Sequence, residues 1–273
     1  MSRQSLWIFK FSGMNKSIRT KLYFFLLSFF AVAAARAQNP EYYQIRVYHL
    51  ANEQQQQVVE NFLQNAFLPA AHKAGVAKVG VFKPVDNDTS ADRRIFVFMP
   101  FKSQADLFKL QGQLEKDQAY ATAGKAYNDA PFDNIPYKRM ETIVLEAFPD
   151  MPKFQAPALT GPMGDRIYEL RSYESATEKI YANKVEMFNK GGEIKIFKRL
   201  NFNAVFYGKV LVGSHMPNLM YLTTFENKPA RDEHWKSFSS DTAWKQLSAM
   251  PQYQKNVSHQ DIIFLHPAAY SDI

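Results

Sequence analysis

Apolar and polar residues alternate from Tyr43 to Tyr48, placing Tyr43, Ile45 and Val47 on one face of a strand and Gln44, Arg46 and Tyr48 on the other. A segment of helical spacing follows, with Asn52 as N-cap and Val58, Val59, Phe62, Leu63, Ala66 and Phe67 along one side. Gly75 is placed to stop it. Val76 to Pro84 and Ile95 to Phe101 have strand character around the polar turn DNDTSADRR. Ser103 opens a second helix expected to reach about Tyr120, and Glu141 to Phe148 is a fourth strand. The order is β-α-β-β-α-β, the ferredoxin-like pattern.

The pattern then returns. Tyr168 and Leu170 share one face of a new strand, with Glu169, Arg171 and Tyr173 on the other. Ser175 and Glu178 stand in a capping-box arrangement before a helix carrying Ile180, Tyr181, Val185 and Phe188. Asn203 to Gly213 and Leu219 to Phe225 are the middle strands, a helical stretch from about Ala230 carries Trp235 and Phe238, and Asp261 to Pro267 is the last strand. Phe101 and Phe225, Asp117 and Asp241, and Tyr120 and Trp244 match at an offset of 124. An offset that persists through strands and helices predicts a duplicated unit, 41–148 and 165–273. Between the copies, 149–164 holds four prolines and two glycines, a linker composition.

The N-terminus changes the electrostatic picture. Lys16, Arg19 and Lys21 precede an apolar run of 14 residues, Leu22 to Ala35, and an Ala35-Arg36-Ala37 site. This is the pattern of a secretory signal peptide over 1–37, with Met14 as an alternative start; the run falls short of the ~20 residues that span a bilayer. The chain has 33 basic and 26 acidic residues, a formal charge of +7. Six of the basic residues and none of the acidic ones lie in 1–37, leaving 27 against 26. The basic balance belongs to the leader, which removes the case for nucleic-acid binding. The expected location is periplasmic or extracellular. With no Cys, the chain has no disulfide framework, thiol nucleophile or thiolate metal site.

The stretches FLPAAHKAGVAKVGVFKPV and GGEIKIFKRLNFNAVFYGKVLVGSHMPNLMYLTTFENKPARDEHWKSFSSDTAWKQLSAM resemble the NIPSNAP family, the second more specifically through its Gly-Gly-Glu-Ile, Asn-x-x-Phe-Tyr-Gly and Met-Pro-Asn-Leu segments. The resemblance spans nearly all of 41–270 and implies tandem domains of the dimeric α/β-barrel superfamily. The expected fold is therefore α+β, with two ferredoxin-like repeats packed within one chain. Their free sheet faces would be buried and their edges protected. The resemblance carries no settled activity.

Barrels of that superfamily bind ligands inside, so the polar strand faces become the expected lumen lining: Arg46 and Tyr48 from one strand, Glu169, Arg171 and Tyr173 from the other. Guanidinium forks could orient a carboxylate, enolate or phenolate there; alternatively each Arg pairs with Glu169 or Glu193 as a structural partner. Because related barrels bind haem or work without a cofactor, His72 and His215 are the histidines to examine. All six histidines lack metal-ligand spacing and are expected to be ordinary surface or capping groups, so no metal and no cofactor are expected. Trp235, Phe238 and Trp244 should be core, and Gly191 to Glu193 a helix break rather than a phosphate nest. Two functions stay open: a module binding a small apolar or amphipathic molecule, a protein partner or a second copy; or a cofactor-free monooxygenase or isomerase acting on an aromatic or polyketide-like substrate. No recognisable acid–base pair supports the second.

Overall fold

The computed structural model describes residues 39–273, so the expected leader, 1–37, lies outside the described residues. The first half of the described chain runs β1 (Tyr42–Leu50), α1 (Glu53–Phe62), a π-turn (Leu63–Phe67), α2 (Leu68–Lys73), β2 (Gly80–Pro84), β3 (Arg93–Phe101), α3 (Gln104–Leu114), α4 (Gln118–Ala123), α5 (Lys125–Asn128) and β4 (Arg139–Ala147). The second half runs β5 (Ile167–Glu174), α6 (Glu178–Phe188), α7 (Glu193–Arg199), β6 (Phe206–Val212), β7 (Asn218–Phe225), α8 (Lys228–Ser240), α9 (Thr242–Ala249) and β8 (His259–Pro267).

Local chemistry sets these bounds. Asn52 and Ser103 cap their helices as expected, accepting from the N–H groups of Gln55 and Asp106. Asp117 restarts a helix after Leu114 by accepting from Ala119 and Tyr120, which breaks the second helix earlier than its apolar pattern suggested. Thr177, not Ser175, caps α6; the Ser175 hydroxyl instead donates to the carbonyl of Asn256, 2.7 Å away. Gly75 adopts φ +95°, the left-handed turn that ends α2. Strand β2 starts only at Gly80, because the Val76 N–H closes the helix end on Ala71 and the Val79 N–H is held by Asp272.

All eight strands pair antiparallel in one closed barrel, in the order β1-β3-β2-β8-β5-β7-β6-β4. The fold is mixed α and β. Within each half the order is the same, β4-β1-β3-β2 and β8-β5-β7-β6. Two seams join the halves: β2 on β8, from Phe82↔Pro267 to Pro84↔Leu265, and β4 on β6, with a bulge between Val144 and Leu145.

Three apolar clusters fill the molecule. One lies between the first-half strands and helices, a second between the second-half strands and helices, and the third fills the barrel itself. Tyr43, Ile45 and Val47 of β1 and Tyr168 and Leu170 of β5 belong to the barrel cluster. Phe98 stacks on Phe206 with ring centroids 5.0 Å apart, and Tyr43 leans on both. Ile273 and Phe154 pack onto this cluster where β1 and β5 begin, so that end is plugged. Trp235 and Trp244 pack against the second helix-layer core, and Phe238 is buried in it. Among the described residues, no helix is long and apolar enough to cross a membrane.

Candidate functional site at the barrel mouth

The polar strand faces do not line the barrel. Tyr48 lies in the first helix-layer core, and Arg46 sits over the Phe67 ring at 5.0 Å while donating from Nε to Gln44. Tyr173 lies in the second helix-layer core, and Arg171 lies over the Trp235 ring at 3.7 Å. The expected lumen placement of Arg46, Tyr48, Glu169, Arg171 and Tyr173 is thus corrected. Strand alternation separates two faces without saying which one meets the helices, and here both are buried.

A polar cluster makes this burial tolerable. Glu169, fully buried, accepts from Arg171 Nε at 2.7 Å, Arg231 Nε at 2.7 Å and Nη2 at 2.9 Å, and Trp235 Nε1 at 2.8 Å. Burial pushes its carboxyl up, but the hydrogen bonds and charges of Arg231 and Arg171 outweigh that and hold it below the usual carboxylate range. Arg171 Nη1 donates to the Tyr173 hydroxyl, which lies 2.8 Å from that of Tyr221. Deeper in the same layer, Lys184 and Glu193 form a buried pair at 2.9 Å. The group is saturated by its own members, so the pairing of Arg171 with Glu169 is structural.

The remaining site candidates separate. His72 stands on α2 with Nε2 2.8 Å from Asp272, on the outer surface. His215 alone reaches the open end of the barrel, where β1 and β5 finish. There a cavity of about 240 Å³ has an apolar floor of Val47, Phe96, Ile143, Leu170, Met220 and Ile263. Around it stands a polar rim that includes His49, Arg94, Glu141, His215, Asn218 and Asp261.

The rim is acidic and tightly connected. His49 is clamped between two carboxylates, with Nδ1 3.0 Å from Asp92 and Nε2 2.9 Å from Glu141. Both ring nitrogens are engaged, which leaves no free lone pair for general-base work. The loop between β6 and β7 edges the opening and is tied to the strands on either side: Ser214 donates to Glu141 across 3.3 Å, and His215 Nδ1 lies 3.1 Å from Glu174 Oε1. Asn218 donates to the Ser172 hydroxyl at 2.9 Å, and its own Oδ1 has no hydrogen-bond partner. Both histidines already face carboxylates, His72 that of Asp272 and His215 that of Glu174, and the cavity of about 240 Å³ beside His215 is too small to enclose a haem.

These rim residues were legible in part. His49 continues the face of Tyr43, Ile45 and Val47, and Glu174 and Ser172 continue that of Leu170, so alternation already placed them with the apolar set. What the sequence lacked was the knowledge that this set lines the lumen.

With the fold and mouth defined, comparison with solved structures places the chain among closed α/β barrels. A putative monooxygenase from Lactobacillus acidophilus NCFM superposes with a TM-score of 0.54 at 8% identity, covering 84% of this chain and 94% of that one. A putative monooxygenase from Fusobacterium nucleatum gives 0.56 at 7% identity, covering 84% and 93%. At such identities the likeness is one of fold. The more particular match is to the NIPSNAP family, whose model matches residues 168–272, the second half, where the sequence resemblance was also the more specific. A comparison with curated proteins finds no match.

Proposed function

We propose that this chain is an exported NIPSNAP-like barrel, built from two ferredoxin-like repeats, that binds one small amphipathic molecule in its mouth. The observation that carries the binding role is the cavity itself, an apolar floor inside an acidic, hydrogen-bonding rim. Asp92, Glu141, Glu174 and Asp261 outnumber Arg94 around it, so the fitting ligand has an apolar body and a cationic or hydrogen-donating head. The cavity lies slightly below the ~300–1,000 Å³ of drug-sized sites, which suits a single ring. Burying roughly 150 Å² of such a ring at about 25 cal/mol per Å² contributes about 4 kcal/mol before any polar contact is counted. The recurring strand order supports the duplication. So do the matched caps Asn52 and Thr177, Ser103 and Asn227, and Asp117 and Asp241. The leader-like sequence supports export.

A catalytic role of the kind named for the two structural neighbours would need a free base at the mouth. With His49 clamped, that reading would rest on His215.

The test uses 2-phenylethylamine, a single ring with a cationic head, followed by isothermal titration calorimetry. One equivalent should bind, at least tenfold more weakly in Ile263→Trp, which fills a partly buried position of the floor, and unchanged in the surface variant Phe108→Ala. Equal binding by all three proteins would refute the mouth as the site. Native mass spectrometry of protein from its own host should then show a retained small molecule.

A further inference from the structure

At one side of the mouth, Glu174 ends β5 while His259 and Asp261 begin β8, and the register pairs Glu174 directly with His259. One carboxylate oxygen from each acid and one imidazole nitrogen all lie within 4.8 Å of one another. First-row metals bind imidazole nitrogen and carboxylate oxygen at about 2.0–2.2 Å, which separates neighbouring ligands by roughly 3–3.5 Å. His259 Nε2 already lies 3.2 Å from Asp261 Oδ1, and with half or more of each side chain exposed both can turn toward a shared ion by small rotations.

Two oxygens at this place lack the partners that burial normally demands. Glu174 Oε1 is buried and accepts no hydrogen bond; His215 Nδ1 lies 3.1 Å away but out of alignment. Asn218 sits opposite Glu174 on β7, is only 3% exposed, lines the same cavity and has an unpartnered Oδ1. Unsatisfied buried acceptors cost about 1–3 kcal/mol each, so their collection beside a His and two carboxylates requires a reason. A cation bound beside them would supply the missing charge partner.

We infer that Glu174, His259 and Asp261, with Asn218 beside them, form a site for one divalent first-row transition-metal ion on the rim of the barrel mouth. Mixed imidazole and carboxylate donors suit Mn²⁺ through Zn²⁺ better than Ca²⁺ or Mg²⁺, which take oxygen ligands. No local spacing announces the site, because Glu174 is 85 residues from His259 and only the β5–β8 pairing joins them. It adjoins the organic cavity without depending on an organic ligand.

Titrating the metal-free full chain with Zn²⁺, Mn²⁺ and Ca²⁺, each against a chromophoric chelator, tests this. One equivalent should bind, Zn²⁺ more tightly than Mn²⁺ as the general affinity order requires. His259→Ala and Asp261→Asn, both surface changes, should each weaken binding at least tenfold. His72→Ala, at a His–Asp pair elsewhere, should leave it unchanged. No stoichiometric binding, or binding that survives His259→Ala, would overturn the site. Preference for Ca²⁺ would overturn its chemistry. The phenylethylamine result at Ile263 can fail while the metal result stands, and the reverse.

Discussion

Replacing Arg171 by Met tests whether the strand arginines are structural. Arg171 holds Glu169 Oε1 through Nε at 2.7 Å and Nη2 at 2.5 Å, and also donates to Tyr173. Hydrogen bonds to charged groups contribute about 1.5–3 kcal/mol each, and stacking on Trp235 adds roughly 0.5–2 kcal/mol. Breaking a buried ion pair costs about 3–5 kcal/mol when it strands the partner. Here Arg231 and Trp235 stay on the carboxylate, so the expected loss is about 3 kcal/mol, at the lower end. Arg231→Met should cost about 2–3 kcal/mol for its two bonds. The double variant removes both charges and should exceed the sum by more than about 1 kcal/mol, since the two share one buried partner. Arg46, at the matching place in β1, has no carboxylate within ion-pair distance among the described residues and donates to the Gln44 amide. Arg46→Met should therefore cost under about 1.5 kcal/mol. Urea unfolding followed by circular dichroism, at constant m-value, gives all four numbers. Equal losses for the Arg46 and Arg171 variants, or strict additivity in the double, would refute the assignment.

The same carboxylate sets an acid limb. Its folded pKa lies below the unfolded value of about 4.3, so its contribution is complete above roughly pH 5 and is lost as pH falls through the folded pKa; a stability–pH profile of Arg171→Met should show a shallower fall there. Phe206→Ala opens the packed barrel between Tyr43 and Phe98 and should cost about 3–5 kcal/mol by the same unfolding assay. Thr177→Ala should cost about 1 kcal/mol as the loss of an N-cap. Protein recovered from its host should begin at Gln38 by intact mass; a full-length N-terminus on the soluble form would remove the export proposal.

Much of this architecture was written locally. Asn52 and Ser103 are caps whose side chains act within three residues, and strand periods need only neighbours, so both could be read from the sequence. Errors arose where a distant partner decided the outcome. Ser175 looked like a cap until Asn256 took its hydroxyl. The Arg171 face looked like a ligand surface because Arg231 and Trp235, some 60 residues on, could not be seen to cover it. The mouth was invisible for the same reason, since its rim gathers residues from six strands and one loop.

The β2–β8 and β4–β6 seams let one chain close its own ring. A barrel made by two identical chains about a twofold axis would repeat every rim residue across its opening. In this ring the two halves present different residues at matching places in their strand pairs, His49 beside Arg94 in one and Glu174 beside Asn218 in the other. A single continuous chain need not repeat its rim, so the opening has two unlike walls, Glu174 and Asn218 on one side and a clamped imidazole on the other.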